Sequence, residues 1–247
     1  METMGIIGFG SFGSLLARLV APYATVLVYD RRRVNVPLPA NVRKAPFKEV
    51  ARCPVIVIAT DLTGVAPVCA RLAPLVNPQT IVMDICSVKM KPAHIMIEEL
   101  GQSCRLLATH PLFGPNSIAR SGASCKGMVM VWHELAGGPF PELEALFAEK
   151  LGMSIRRMTP EEHDRQMAWV HALTFFVGRG LVMMDIPEPE LDTGYYQKLR
   201  DLFELEKTHS RALFDTIEAG NPYAADIRQR FITTLQQLDS EVRRIDP

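Results

Sequence analysis

Four short stretches of this sequence hold residue types able to do chemistry. Gly8-Phe9-Gly10-Ser11-Phe12-Gly13 has the spacing G-x-G-x-x-G. In that pattern Gly8 allows a tight turn, Gly10 lets the backbone approach a pyrophosphate, and Gly13 lets a helix pack closely on a strand. The phosphates would sit on a helix N-terminus, where free N–H groups point outward. Asp30 stands 17 residues after Gly13, near the ~20 expected of an acid that binds a ribose hydroxyl. Asp30 favours NAD, but Arg31, Arg32 and Arg33 follow at once, and arginine is how such sites accept the 2′-phosphate of NADP. Two further stretches, Cys86-Ser87-Val88-Lys89 and His110-Pro111-Leu112-Phe113-Gly114-Pro115, each follow an apolar run. A histidine in a proline-rich loop after a strand, beside a cofactor cleft, is a candidate for proton transfer. The fourth stretch is Glu162-His163-Asp164, which reads as an acidic helix start that braces its helix.

The elements needed to position these residues are legible around them. Residues 4–8 form a short apolar run, 14–20 carry a helical apolar face, and 25–30 are β-branched and apolar. Strand, glycine turn, helix and strand make a βαβ unit. Residues 55–60 and 81–85 read as further buried strands, which puts Thr60 at a strand end among the cofactor-binding candidates. Residues 106–109 read as a strand leading into the His110 loop. Unbroken Val/Ile runs separated by helical segments indicate a parallel sheet covered on both faces. Ligands bind beyond the carboxyl ends of such strands, so Ser87 and Lys89 are expected near a nicotinamide. Ser87 also suits a helix N-cap.

From residue 160 the pattern becomes helical. Residues 168–184 are apolar almost all round, apart from His171 and Arg179, and read as a buried helix. Residues 195–219 and 223–245 have helical spacing, broken at Gly220-Asn221-Pro222. The expected fold class is therefore α/β. An N-terminal Rossmann-type doubly wound parallel sheet, residues 1–154, is followed by an all-helical domain, residues 155–247.

Composition narrows the classes. The 247 residues include 27 Lys plus Arg and 27 Asp plus Glu, so the formal net charge is zero and a nucleic-acid partner is not expected. Five cysteines with no Cys-x-x-Cys spacing argue against a disulfide framework or a zinc knuckle and fit a reducing cytoplasm. The N-terminal residues lack the pattern of a signal peptide, and no membrane span or metal site is expected.

The glycine hexapeptide, then Asp84-Ile85-Cys86-Ser87-Val88-Lys89, then Thr109-His110-Pro111-Leu112-Phe113-Gly114-Pro115, together resemble the prephenate and arogenate dehydrogenases of tyrosine biosynthesis. Glu162-His163-Asp164 ahead of a long apolar helix fits that resemblance. It implies oxidative decarboxylation of a cyclohexadienol, with hydride transfer to NAD or NADP. His110 is then the acceptor of the 4-hydroxyl proton, and Ser87 bonds that histidine beside the nicotinamide. His171 is implied in the substrate pocket. The resemblance also implies an interlocked helical homodimer. Longer relatives clasp a substrate carboxylate with an arginine whose place falls near Tyr195-Tyr196-Gln197-Lys198, where no arginine stands. Lys89, Arg179, Gln197 and Lys198 are the remaining substrate-binding candidates, with Arg200 as a further cation. His133 stands where arogenate-selective relatives carry an acid, with Glu134 adjacent, which favours prephenate and keeps arogenate as the alternative. Two other readings are a nucleotide-sensing module without turnover and a β-hydroxyacid or imine dehydrogenase. The latter usually uses a lysine in its helical domain, and none occurs between Leu151 and Gln197.

Overall fold

Unbroken runs of Val, Ile and Met build the sheet of this computed structural model, which describes residues 2–32, 37–122 and 124–245. Arg33, one of the three arginines after Asp30, lies outside the described residues. The elements run β1 (Thr3–Ile7), α1 (Ser11–Val20), β2 (Thr25–Tyr29), β3 (Val42–Lys44), α2 (Phe47–Val50), β4 (Val55–Ile58), α3 (Leu62–Leu72) and β5 (Ile81–Asp84). Then follow α4 (Met90–Leu100), β6 (Arg105–Pro111), α5 (Pro115–Arg120), β7 (Val129–Ala136), α6 (Pro141–Ala145) with a π-helical turn Leu146–Lys150, and β8 (Ser154–Arg157). α7 (Pro160–Met167) passes through a π-helical segment, Ala168–Leu173, into α8 (Thr174–Met184). Finally come α9 (Gly194–Lys207), α10 (Arg211–Gly220) and α11 (Ala224–Val242).

The chain divides into two compact units, Met1–His163 and Asp164–Pro247. The first holds an eight-stranded sheet of order β3-β2-β1-β4-β5-β6-β7-β8. Neighbouring strands are parallel except β6 and β7, which run antiparallel. Successive side chains of a strand point to opposite faces, and both faces here are covered. Met4, Ile6, Val26, Val28, Val55 and Val57 pack with Leu15, Leu16 and Val20 of α1. Ile7, Leu27, Ile56, Ile58 and Val82 pack with Val65 and Leu72 of α3 and Met96 of α4 on the other face. Chain order reverses between β1 and β4, which makes a crevice at the carboxyl ends of those strands.

Two expectations change here. His110 lies within a strand, because β7 keeps pairing past Thr109, with His110 opposite Val131 and Pro111 opposite Met130. The boundary expected between residues 154 and 155 falls inside β8, which pairs with β7 from Ser154 to Arg157, so the first unit extends to His163.

The second unit is helical, with a small core of Ala172, Phe175, Ile217 and Ala224. The helix expected to be buried all round is buried on one face only. Ala168, Ala172, Phe175 and Gly178 are inside, whereas Trp169, Val170, Met183 and Met184 are exposed, Met183 by 81%. By length and composition alone, Pro160–Met184 could cross a membrane, a property shared by core helices of soluble proteins. The continuous helix expected over 195–219 is interrupted, because the Ser210 hydroxyl accepts from the Leu213 N–H at 3.2 Å and restarts it as α10.

Candidate active site

The glycine loop joins β1 to α1 at the crevice, and its glycines do different things. Gly8 has φ +102°, and a Cβ there would lie 2.5 Å from the Ala59 carbonyl oxygen. A Cβ on Gly13 would lie 2.1 Å from the Gly8 carbonyl oxygen. Both positions therefore need glycine for the turn and for helix–strand packing. Gly10 differs: it precedes α1, supplies no side-chain cap, and a Cβ there would meet nothing within 4 Å. Open space above uncapped first-turn N–H groups, which begin at Ser11, fits a bound pyrophosphate. Phe9 and Phe12 line the same loop, both half-buried.

Asp30 ends β2 beside this loop. Its carboxylate accepts from the Phe9 N–H at 2.7 Å and the Arg32 N–H at 2.8 Å. Burial pushes its pKa up, but those two N–H bonds and the Arg32 charge outweigh burial and hold it below the usual carboxylate value. Arg31 is exposed next to it. Thr60, after β4, has its hydroxyl buried and without a hydrogen-bond partner, and a Cβ on Gly64 of α3 would lie 2.7 Å from it.

Beyond β5 the chain is clamped to β6. Asp84 accepts from the Cys86 N–H at 2.9 Å and from the Lys89 ammonium, and the ammonium also donates to the Thr109 carbonyl at 2.6 Å. The Thr109 hydroxyl donates to the Asp84 carbonyl. Lys89 is 1% exposed and Asp84 0%. Lys89 was expected to meet substrate, but its charge is spent on a buried carboxylate, as burial of an ammonium requires. It also stands as the N-cap residue of α4, the place considered for Ser87, which is half-buried in the β5–α4 loop.

His110 follows Thr109 and is 5% exposed. Its Nδ1 lies 2.9 Å from Nε2 of His163, with the ring planes at 70°. His163, itself 1% exposed, is set by a capping box at the start of α7. There the Thr159 N–H donates to the Glu162 carboxylate at 2.8 Å, and the Glu162 N–H donates to the Thr159 hydroxyl at 3.2 Å. Phe113, past the end of β6, packs on Phe12 with ring centroids 5.7 Å apart, which ties the histidine's loop to the glycine loop.

This arrangement has known counterparts. Residues 30–126 match the family model of the prephenate dehydrogenase nucleotide-binding domain, a stretch that carries Asp30, the Asp84–Lys89 clamp and His110. Over 97% of its length the chain is 26% identical to arogenate dehydrogenase 1, chloroplastic, of Arabidopsis thaliana, and it spans 39% of that relative. Residues 30–126 are thus similar to the nucleotide-binding domain of the prephenate dehydrogenase family, and the chain as a whole to arogenate dehydrogenases at low identity. Its fold is similar to that of A. aeolicus prephenate dehydrogenase in complex with hydroxyphenyl propionate and NAD+, with TM-score 0.73 and 17% identity, over 99% of this chain and 91% of that one. It is similar also to Synechocystis arogenate dehydrogenase, with TM-score 0.67 and 20% identity, over 98% and 92%.

The remaining candidates from the family resemblance lie in the helical unit. His171 is half-buried, edge-on to Phe175 at 4.6 Å. Arg179 pairs with Glu206 at 2.7 Å, a carboxylate only 1% exposed that also meets His209 at 2.9 Å. Like Lys89, Arg179 is committed to a buried acid. Gln197 donates to Asp201 at 3.1 Å, and Lys198 is exposed, its ammonium 5.7 Å from the Tyr195 ring centroid. Arg200 donates to the Ile186 and Pro187 carbonyls and pairs with Glu188 and Glu204. A cavity of about 400 Å³ is lined in part by Gln197 and Arg200, but not by His171, Arg179 or Lys198.

The residue that sequence reasoning passed over is His163, expected only to brace its helix. The signal was present in the spacing. His163, Asp164, Met167, Ala168 and Ala172 fall on one helical face, and all five are buried.

Proposed function

We propose that the chain is a dehydrogenase that oxidises prephenate with decarboxylation to 4-hydroxyphenylpyruvate, with NAD as the cofactor. The observation that carries this reading is His110, buried on β6 just before the loop whose Phe113 packs on Phe12 at the glycine turn, with one ring nitrogen already engaged by His163. A bound nicotinamide supplies the hydride acceptor. The glycine loop and the α1 N-terminus would hold the pyrophosphate, and Asp30 would take a ribose hydroxyl. As the substrate C4–H bond gives up its hydride, the 4-hydroxyl proton passes to Nε2 of His110. The C1 carboxylate leaves as carbon dioxide, and aromatisation of the ring drives the reaction. The fold of the A. aeolicus enzyme, in complex with NAD+, supports the choice of cofactor.

Arogenate is the second reading for substrate, favoured by the likeness to the Arabidopsis arogenate dehydrogenase. Prephenate comes first because His133 stands where the resemblance puts the acid of arogenate-selective relatives, with Glu134 as its neighbour. The proposal includes a homodimer through the helical unit and a cytoplasmic location, in keeping with five free, buried thiols.

The test is absorbance of reduced cofactor with purified protein in four mixtures, prephenate or arogenate with NAD or NADP. Turnover with prephenate and NAD is expected. Turnover only with arogenate moves the assignment to the second reading. Silence in all four, with NAD binding shown separately, overturns the proposal. In the active mixture, His110→Ala should lower kcat by ~10²–10⁴-fold with cofactor binding nearly intact.

A further inference from the structure

Two imidazoles 2.9 Å apart share one proton when both are neutral: one nitrogen donates and the other accepts. Which way that proton points decides what His110 can do at its other nitrogen. If His163 donates, His110 carries its own proton on Nε2 and cannot take another there. If His110 donates from Nδ1, its Nε2 has a bare lone pair.

We propose that His163 is a positioning residue that accepts the Nδ1 proton of His110 and thereby holds Nε2 proton-free for catalysis. The inference rests on reading His110 as the proton acceptor, and it deepens that reading by naming what sets its tautomer. Three observations converge on it. The partner nitrogen on His163 is Nε2, so His163 can keep its own proton on Nδ1 and remain neutral while accepting. Both rings are nearly inaccessible, at 5% and 1% exposure, so solvent does not scramble the assignment. The backbone on both sides is fixed independently. Thr109, next to His110, is gripped by Asp84 and Lys89, and the helix start that presents His163 is locked by the Thr159–Glu162 capping box. A ring held at both ends loses little freedom in the reaction, as a general base requires. During turnover the substrate hydroxyl proton adds at Nε2, the Nδ1 proton stays in its bond to His163, and the imidazolium is stabilised by that same bond. The proton balance closes when Nε2 later releases its proton.

The experiment uses intact protein labelled with 15N-histidine, whose ring-nitrogen shifts distinguish the two tautomers. The His110 signals are assigned by their loss in His110→Ala. In the wild type, His110 should show a protonated Nδ1 and a bare Nε2. His163→Leu removes the acceptor. It should move His110 to the Nε2–H form and lower kcat by roughly 10–100-fold, no more than the lower end of the ~10²–10⁴-fold worth of a general base, with KM for the cofactor unchanged. His163→Gln places an amide oxygen near the lost nitrogen and should restore the tautomer and most of kcat. A merely structural role would give no such rescue and no tautomer change. A wild-type His110 protonated at Nε2 overturns the proposal, as does a His163→Leu variant that keeps the Nδ1–H tautomer and full kcat. The spectra need no substrate. If none of the four mixtures turns over, the catalytic reading fails while the tautomer is still decided.

Discussion

Gly10 and Gly13 are the same residue type in one turn, yet an added methyl meets opposite surroundings at the two. On Gly13 it strikes the Gly8 carbonyl at 2.1 Å, and on Gly10 it meets nothing within 4 Å. Gly13→Ala is therefore expected to destabilise the fold, measurably by denaturant unfolding. Gly10→Ala is expected to cost no more than about 1 kcal/mol, the difference between these residues before a helix. It should nevertheless weaken NAD binding at least about tenfold, because its methyl projects where the pyrophosphate must sit. Titration calorimetry on both variants checks this, and equal effects on stability would contradict the assignment of space. Asp30 carries a pH prediction. Its pKa is lowered in the folded chain, so its stabilisation is fully present above the unfolded value of ~3.9 and is lost as pH falls through the folded value. Asp30→Asn, whose amide cannot accept from both N–H groups, should be less stable than wild type at neutral pH. The gap should shrink as pH falls below about 4 in pH-dependent unfolding. The glycines and Asp30 were legible as residue types at set spacing. The bonds from Phe9 and Arg32 to Asp30 were not, because they depend on where the loop closes.

At the scale of elements, β5 and β6 are joined beyond their last ladder pair, Asp84 with Ala108, by the buried Asp84–Lys89–Thr109 network. A buried ion pair is costly to assemble, and breaking one partner leaves an uncompensated charge. Lys89→Met should therefore destabilise the protein by about 3–5 kcal/mol. That corresponds to a loss of about 10 °C in Tm for a chain of this size, readable by calorimetry. Adding Asp84→Asn to Lys89→Met should recover part of the loss, since no bare charge is then buried. The Asp-x-x-Ser-Val-Lys pattern was visible, but its lysine was placed at the substrate. A sequence shows that a lysine follows a strand end. Only the path of the backbone shows that its ammonium reaches back to an acid five residues earlier instead of outward.

For the whole molecule, the helical unit leaves apolar side chains in contact with water. Met183 and Met184 of α8, and Leu235, Leu238 and Val242 of α11, are all exposed. Leu235, Leu238 and Val242 follow a three-four spacing, the seam that a helix presents to a partner helix. With a homodimer as the proposed occupant, light scattering should give a mass near twice 27.5 kDa, and Leu238→Asp should shift it toward the single chain. A wild-type mass of one chain at micromolar concentration would set the dimer aside.

What the sequence determined by itself is local. A glycine spacing dictates a turn, Val and Ile runs dictate buried strands, and a motif places a histidine after a strand. These follow from backbone sterics and from a two-residue or 3.6-residue period, which neighbours in the chain set between them. The tertiary structure decided what depends on distant partners. The antiparallel β7 carried β6 through His110, a carboxylate claimed Lys89 and another claimed Arg179, and His163 arrived 53 residues later to engage His110. Charged and hydrogen-bonding side chains go where burial leaves them a partner. That partner is chosen by packing, which no local spacing encodes.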